Sequence, residues 1–399
     1  MKQILILGGG FAGVWTAAGA TRVLRDAGTA AADIRVRLIS NTDNLVIRPR
    51  LYERDPHEMR VPLDDVLGPI GVDRLQADVE AISLDQQTVT VRGLDGEPDT
   101  AVYDRLVLAT GSQLLAPNFP GAEHVFNIDT IDAAAALDIH LHRLPSRTRS
   151  AARYTVVVVG AGFTGLEIAT DLVDRLRDIA GSQESVRVVL VERAGVPGPE
   201  LGDAPRPTIV RALDDLGVEQ RLGVTLVSAT ADQVELSNGE VIPTSTVVWT
   251  VGMMASPLTT QIPAARDRFG RLPVDGFLRV VGVPGLYAAG DTAAAAAEEG
   301  HPTMQSCQHA LPMGKCAGHN VAAGLLDLPQ MSFTTDPYAN AIDLGSAGAV
   351  TTTGWERTVN STGPEAKAMK QAINTKWIYP PTESADVIWA AAAQFGKGA

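Results

Sequence analysis

The sequence predicts an α/β chain built on two parallel-sheet units, and an internal duplication carries that prediction. An apolar run at Ile4–Leu7 stops at Gly8-Gly9-Gly10-Phe11-Ala12-Gly13, which opens a helical stretch to about Arg25; a second apolar run, Ile34 to Ile39, ends at Ser40. The arrangement returns 152 residues later, counted from Gly8 to Gly160. Thr155–Val159 reads as a strand, Gly160-Ala161-Gly162-Phe163-Thr164-Gly165 opens a helix, and Val186–Val191 ends at Glu192. In both copies the third glycine precedes the end of the second strand by 27 residues (13 to 40, 165 to 192). One GxGxxG is a weak signal, whereas two with a strand before, a helix after and equal spacing are specific.

Each glycine has a physical task. The first permits a tight turn, the second lets backbone approach a diphosphate, and the third lets the helix pack on the strand. The helix N-terminus adds free N–H groups and a partial positive charge. Two dinucleotide sites follow: Gly8, Gly10, Phe11, Ala12 and Gly13 at the first, and Gly160, Gly162, Phe163, Thr164 and Gly165 at the second. Glu192 stands where a carboxylate would bond adenine-ribose hydroxyls and repel a 2′-phosphate, so NADH is expected over NADPH; Arg193 beside it softens that preference. The first site has Ser40 and Asn41 in the equivalent place, neutral groups that hold a ribose by hydrogen bonds.

Composition narrows the class. With 399 residues, 45% hydrophobic and 20% charged, the chain can bury a large core, and wholesale disorder is excluded. A length like this usually divides into two or three domains. The net charge of −13 disfavours a nucleic-acid-binding or polybasic membrane protein. Cys307 and Cys316 are the only cysteines, so neither a disulfide framework nor a zinc site is expected. On one helix they would lie on opposite faces about 13 Å apart. Both read as small buried residues, with a thiol near a cofactor as the alternative. No apolar run reaches the ~18 residues of a membrane span, and Ile4–Leu7 is too short for a signal peptide. A cytoplasmic protein is the expectation. Of the 38 glycines, Gly8, Gly10, Gly13, Gly111, Gly160, Gly162, Gly165 and Gly290 are expected in nucleotide-contact turns, not linkers.

Three later strands end in glycine: Leu106-Val107-Leu108-Ala109-Thr110-Gly111-Ser112, Val247-Val248-Trp249-Thr250-Val251-Gly252 and Leu286-Tyr287-Ala288-Ala289-Gly290-Asp291. In this order the set resembles the two-dinucleotide flavoproteins of glutathione-reductase-like fold, which hold FAD and a nicotinamide nucleotide. The resemblance covers residues 1 to about 325. It implies FAD at the first glycine turn beside Ser40, Asn41, Ala109, Thr110, Gly111 and Gly290, with Asp291 on the ribityl chain, and NADH at the second turn with Gly252. The implied division is an FAD domain at 1–115 and 254–325, an inserted NADH domain at 116–253, and a C-terminal cap at 326–399.

Finer features resemble type II NADH dehydrogenases: Asn44 to Glu53 (NLVIRPRLYE), Trp249 to Pro257 (WTVGMMASP) and Gly162 to Glu167 (GFTGLE). That resemblance places Glu167 near the stacked nicotinamide and flavin rings, the alternative being a plain helix-face carboxylate. Arg48 and Arg50 suit FAD phosphates through their guanidinium forks, or form a solvated pair. Residues 41 to 100 contain no cysteine, which excludes the disulfide-reductase chemistry of related enzymes, and no FxGxxxHxxxW stretch marks a Baeyer–Villiger-like monooxygenase. The remaining chemistry is hydride transfer from NADH to flavin and electron delivery onward, with the protein supplying orientation and electrostatics.

Thr303–Lys315 is expected to start a helix aimed at the flavin. Quinone-reducing relatives carry a Gln-rich AQxAxQ segment there; Gln308 and Ala310 keep that register, which makes Gln308 an acceptor-side candidate, while Pro312 replaces the second Gln and is expected to kink the helix. His309 reads as a helix residue in preference to a proton donor. In the cap, a helix over Pro364–Lys376 carries Ala366, Met369, Ile373 and Trp377 on one face, with Lys367, Lys370 and Lys376 elsewhere. That face is expected to pack on the core or in a homodimer; a membrane surface is the alternative. Trp377 to Pro381 is expected to wall the acceptor side. The leading function is NADH oxidation with a quinone-type acceptor. The alternatives are a reductase feeding a ferredoxin or oxygenase, and a redox-gated interaction protein in the style of apoptosis-inducing factor.

Overall fold

The computed structural model describes residues 1–29, 33–298 and 300–395. The short apolar runs become strands of two parallel sheets, whose unbroken hydrophobicity fits strands covered on both faces. In chain order the elements that position the site are β1 (Lys2–Leu7), α1 (Phe11–Asp26), β2 (Ile34–Ser40), β3 (Asp73–Ser83) and β4 (Arg105–Leu108). The second unit comprises β5 (Thr155–Val159), α2 (Phe163–Ala180), β6 (Arg187–Glu192), β7 (Glu219–Leu222) and β8 (Thr246–Trp249). The chain then returns through β9 (Leu286–Ala288) and α3 (Cys307–Leu325).

The first sheet has the order β9-β4-β1-β2-β3, all parallel, extended antiparallel by Thr88–Gly93 and Pro98–Val102. The second runs Val125–Phe126, β8, β5, β6, β7, all parallel. Residues 125–249 therefore form a complete sheet between two segments of the first. Register brings the site together: Leu7 pairs with Leu108, and Leu108 with Ala288. The three glycine turns that follow β1, β4 and β9 thus emerge side by side at the carboxyl edge, where open α/β sheets bind ligands.

Small residues let α1 and α3 approach closely. A side chain at Gly318 would overlap the carbonyl oxygen of Thr16, one at Gly314 would strike the backbone of Ala12, and one at Gly19 would meet that of Lys315. Ala17, Ala18, Ala20, Ala317, Ala322 and Ala323 are fully buried. The helix α3 continues through Pro312. Proline in its second turn removes only one early backbone bond, the one that would reach Gln308.

The cap consists of an antiparallel sheet, β10 (Ala339–Asp343), β11 (Ala349–Thr353) and β12 (Thr358–Thr362), followed by α4 (Gly363–Ala372) and a π-helical segment, Ile373–Trp377. Here the sequence expectation is met at Ala366, which is buried, and at Ile373, which packs on the core, but not at the other two residues of that face. Met369 and Trp377 are 45% and 60% exposed, whereas Ala366, Lys370 and Asn374 face inward. The inward donors have partners: Lys370 Nζ lies 2.8 Å from Glu167, and the Asn374 amide donates to Tyr52 Oη and Glu53, while Asn374 Oδ1 has none. Paired donors on one stripe have outweighed two apolar side chains on another. No helix among the described residues is long and apolar enough to cross a membrane.

The α1–α3 contact leaves no room for a branched side chain. Gly318→Val is expected to destabilise the protein by about 3 kcal/mol through overpacking, read as a lower urea midpoint at unchanged slope.

Candidate active site

The carboxyl edges of both sheets open onto one cleft of about 2350 Å³. Three helices, α1, α2 and α3, begin in its wall, at Gly10–Ala12, Gly162–Thr164 and Ser306–Cys307. None has a side-chain cap and none carries an acidic residue in its first turn. Their first N–H groups and positive dipole ends are left for anions.

The glycines divide by task. Gly8 (φ +112°) and Gly160 (φ +100°) hold the left-handed backbone of the turn. Side chains at Gly13 and Gly165 would overlap the carbonyl oxygens of Gly8 and Gly160. By contrast, a side chain at Gly10 or Gly162 would meet no protein atom within 4 Å. It would project into the cleft, where a diphosphate has to approach. Both turns fit a dinucleotide on this ground.

At the first turn, the half-buried Asp291 carboxylate accepts from Ser112 Oγ at 2.6 Å, and desolvation pushes its pKa above the usual range. Thr110 Oγ1 is buried without a protein partner. A carboxylate and a hydroxyl with spare hydrogen-bonding capacity suit a polyhydroxyl chain, so the residues fit FAD. Ser40, Asn41, Ala109, Gly111 and Gly290 line the cleft beside them. Arg48 also lines it, but its guanidinium is bound to Ser112 at 3.0 Å and to Asp129. Arg50 does not line it. Its fork is occupied by Glu53 at 2.6 Å and its Nη1 by Tyr379 Oη at 2.8 Å, so the expected phosphate contact is corrected to a structural ion pair.

At the second turn, the Glu192 carboxylate accepts from the Ala161 and Ala194 N–H groups, both at 2.8 Å, which fixes it at the cleft wall with Arg193 and Gly252. In the second turn of α2, Glu167 also lines the cleft, only 7% exposed, accepting from the Asp343 N–H at 3.1 Å and paired with Lys370 at 2.8 Å. Burial raises the Glu167 pKa; the Lys370 ammonium opposes that rise without cancelling it. Burial also disfavours the charged Lys370, but Glu167 and the nearby Asp343 together outweigh it and the ammonium pKa is raised. Sequence reasoning missed Lys370. Its spacing of four from both Ala366 and Asn374 was the available signal, hidden by the more apolar neighbouring stripe.

Three further expectations are corrected. Gln308 does not line the cleft; its amide, in the orientation that satisfies both of its polar atoms, bonds the Ala339 backbone at 2.7 and 3.1 Å, latching α3 to the cap. Trp377 is exposed, and neither it nor Tyr379 walls the cleft. Cys307 is a half-buried cleft residue, not a core one, while Cys316 is buried. Burial pushes the two thiols up to about 11 and about 12, so neither supplies a thiolate at neutral pH. His309 is buried, accepts from the Met304 N–H at 2.9 Å, and is held neutral by burial, which lowers its pKa to about 4.

Two glycine turns on two parallel sheets, sharing one cleft with a carboxylate beside each turn, define an oxidoreductase of the FAD and NAD(P)H-binding class. The family model for pyridine nucleotide–disulphide oxidoreductases matches residues 2–314, and the chain belongs to that family, in its type II NADH dehydrogenase-like branch. It is 46% identical over 397 residues to an NADH dehydrogenase-like protein of Mycobacterium tuberculosis, covering 98% of both chains. It is 29% identical over 358 residues to demethylphylloquinone reductase of Synechocystis, covering 87% of this chain and 86% of that one. The solved structure of NDH2 from Plasmodium falciparum with NADH superposes with a TM-score of 0.78 at 14% identity, over 98% and 97% of the two chains.

Two predictions follow from the geometry. Gly10→Ala and Gly162→Ala are expected to fold within about 1 kcal/mol of the parent, since nothing opposes the new methyl. Gly10→Ala should nonetheless lose FAD, and Gly162→Ala should weaken NADH binding by at least ~10-fold, about 1.4 kcal/mol, in a titration of the oxidised protein. Removing the ammonium in Lys370→Met leaves the Glu167 carboxyl with a pKa raised further. A carboxyl raised on folding loses stability as pH climbs from its unfolded towards its folded value. The variant should therefore lose roughly 3 kcal/mol at pH 8 and less at pH 5 in urea titrations. An equal loss at both would show that the carboxyl keeps its charge state.

Proposed function

We propose that this protein is an FAD-dependent NADH oxidoreductase that passes electrons to a quinone-type acceptor. The observation that carries the reading is the single cleft onto which both glycine turns open, with Glu167 and Lys370 in its wall. Bound FAD would accept a hydride from NADH and release electrons to the next acceptor. The chain's own part is to bind and orient. Gly8–Gly13 and Asp291 hold one dinucleotide, and Gly160–Gly165 holds the other. Glu192, fixed by two N–H groups, favours a ribose with a free 2′-hydroxyl, hence NADH over NADPH. Helix α3 directs its uncapped N-terminus at the cleft and favours negative charge developing there. Reduction of a quinone consumes protons, and Lys370 Nζ, kept charged by Glu167, holds one at the cleft wall.

The quinone acceptor is supported by the likeness to a demethylphylloquinone reductase. The domain division at 1–115 with 254–325, 116–253 and 326–399, and a cytoplasmic location, belong to the same proposal. Stopped-flow absorbance tests it. NADH should bleach the flavin of the purified holoprotein with a higher kcat/KM than NADPH, and a soluble naphthoquinone should restore the colour rapidly. Reoxidation only by an iron–sulfur protein, or by no quinone at all, would sink the acceptor assignment.

A further inference from the structure

One wall of the cleft has groups that neither dinucleotide site uses. It is formed by the cap, at the start of β10 and in the turn from β11 to β12. Arg357, the last residue of that turn, holds a left-handed backbone (φ +57°) unusual for a side chain of its size. Its side chain is folded inward, leaving the residue only 6% exposed, with the guanidinium 4.2 Å from the Tyr338 ring centroid. Nη2 reaches the Glu200 carbonyl oxygen at 3.4 Å, and Nη1 has no partner. Among the described residues no carboxylate lies within ion-pair distance of it. Burial pushes the guanidinium pKa down, and Tyr338 and the Glu200 carboxylate, which lies beyond ion-pair distance, oppose that only in part.

The surroundings lack acceptors in the same way. Trp355 Nε1 and Asn340 Nδ2 are buried without partners, while Asn340 Oδ1 is already taken by Tyr338 Oη at 3.0 Å. The rings are held rigidly: Tyr338 stacks on Trp355 at 4.5 Å, and Trp355 on His301 at 4.2 Å. Tyr338, Asn340, Trp355 and Arg357 all line the cleft that holds Glu167 and Lys370. A buried cation with no anion in ion-pair contact, beside two more donors with no acceptor, is an arrangement that a ligand bearing an oxyanion would complete.

We propose that this cap wall is an acceptor subsite in which Arg357, with Trp355 and Asn340, binds an oxyanion carried on the ring of an aromatic electron acceptor. The subsite would make the protein select acidic, water-soluble quinones over neutral ones of similar size. The inference rests on the quinone-type reading above and names the substrate class for it.

The test uses the holoprotein and its Arg357→Gln, Arg357→Lys and Trp355→Phe variants. In the binding arm, redox-inert 2-naphthalenesulfonate and neutral 2-naphthol are titrated against the absorbance of the oxidised flavin. In the turnover arm, kcat/KM with NADH is measured for 1,4-naphthoquinone-2-sulfonate and for 2-methyl-1,4-naphthoquinone. The ratio of the two is then compared between variant and parent, which cancels their difference in potential. Arg357→Gln is expected to weaken naphthalenesulfonate at least tenfold relative to naphthol and to lower the quinone ratio at least tenfold. Arg357→Lys should recover part of both, and Trp355→Phe should lower both several-fold. Equal losses for acidic and neutral compounds would overturn the subsite and leave Arg357 a structural tie to the Glu200 loop. A loss confined to the NADH concentration dependence of flavin bleaching would overturn it too, by assigning the arginine to the NADH diphosphate. Should neither quinone reoxidise the parent, the quinone reading falls, and the naphthalenesulfonate titration still decides the subsite.

Discussion

Lys370 and Glu167 meet at 2.8 Å with both side chains almost wholly enclosed, and this pair joins parts of the chain about 200 residues apart. Glu167 sits in the second turn of the helix that follows the second glycine turn; Lys370 sits on the cap helix. The same carboxylate accepts from the Asp343 N–H, which fixes the end of β10, and Asp343 in turn takes Lys367 Nζ at 2.5 Å and the Tyr52 hydroxyl at 3.1 Å. Neither charge is tolerable in that location alone. The cap helix must therefore rotate to present Lys370, and in doing so it exposes Met369 and Trp377. The rotation, the seating of the cap sheet and the shape of one cleft wall all descend from one ion pair.

Backbone proximity is the second constraint. The register of β1, β4 and β9 brings their glycine turns to one edge, while the α1–α3 contact, made of glycine and alanine, holds two helices close enough for both to start at that edge. Bulky side chains at Gly314 or Gly318 would push α3 away from α1, and its uncapped N-terminus would move with it. The small residues that look like low complexity in the sequence thus set the distance between two anion-attracting helix ends.

This explains what was legible beforehand. The glycine turns could be read because each depends on local chemistry: a positive φ at Gly8 and Gly160, a helix start without a cap, and a strand end at a fixed spacing. The elements read at Ile34–Ile39, Thr155–Val159 and Val186–Val191 coincide with strands to within a residue or two. The cap was legible only as a helix. Its orientation depends on Glu167, about 200 positions away, and periodicity cannot see a partner across the fold. Gln308 failed for a related reason: the register of α3 points it at the backbone of Ala339, a residue of the cap. Arg50 failed because a carboxylate three residues along, Glu53, competes for its guanidinium.

The two buried cations of the cap make the sharpest contrast in the molecule. Lys370 is matched by a carboxylate of the protein and by the network behind it, so its charge is settled within the fold. Arg357 is equally enclosed but has a ring and a backbone carbonyl where a carboxylate would be. The quadrupole of Tyr338 and a single carbonyl dipole stabilise a guanidinium less than a full negative charge does. In an acidic protein of net charge −13, carboxylates for a counter-ion are plentiful, so the lack of one in contact with Arg357 is a feature of that wall and not of the composition. The fold supplies a fixed anion where a proton has to be held, and leaves the anion out where a molecule has to arrive.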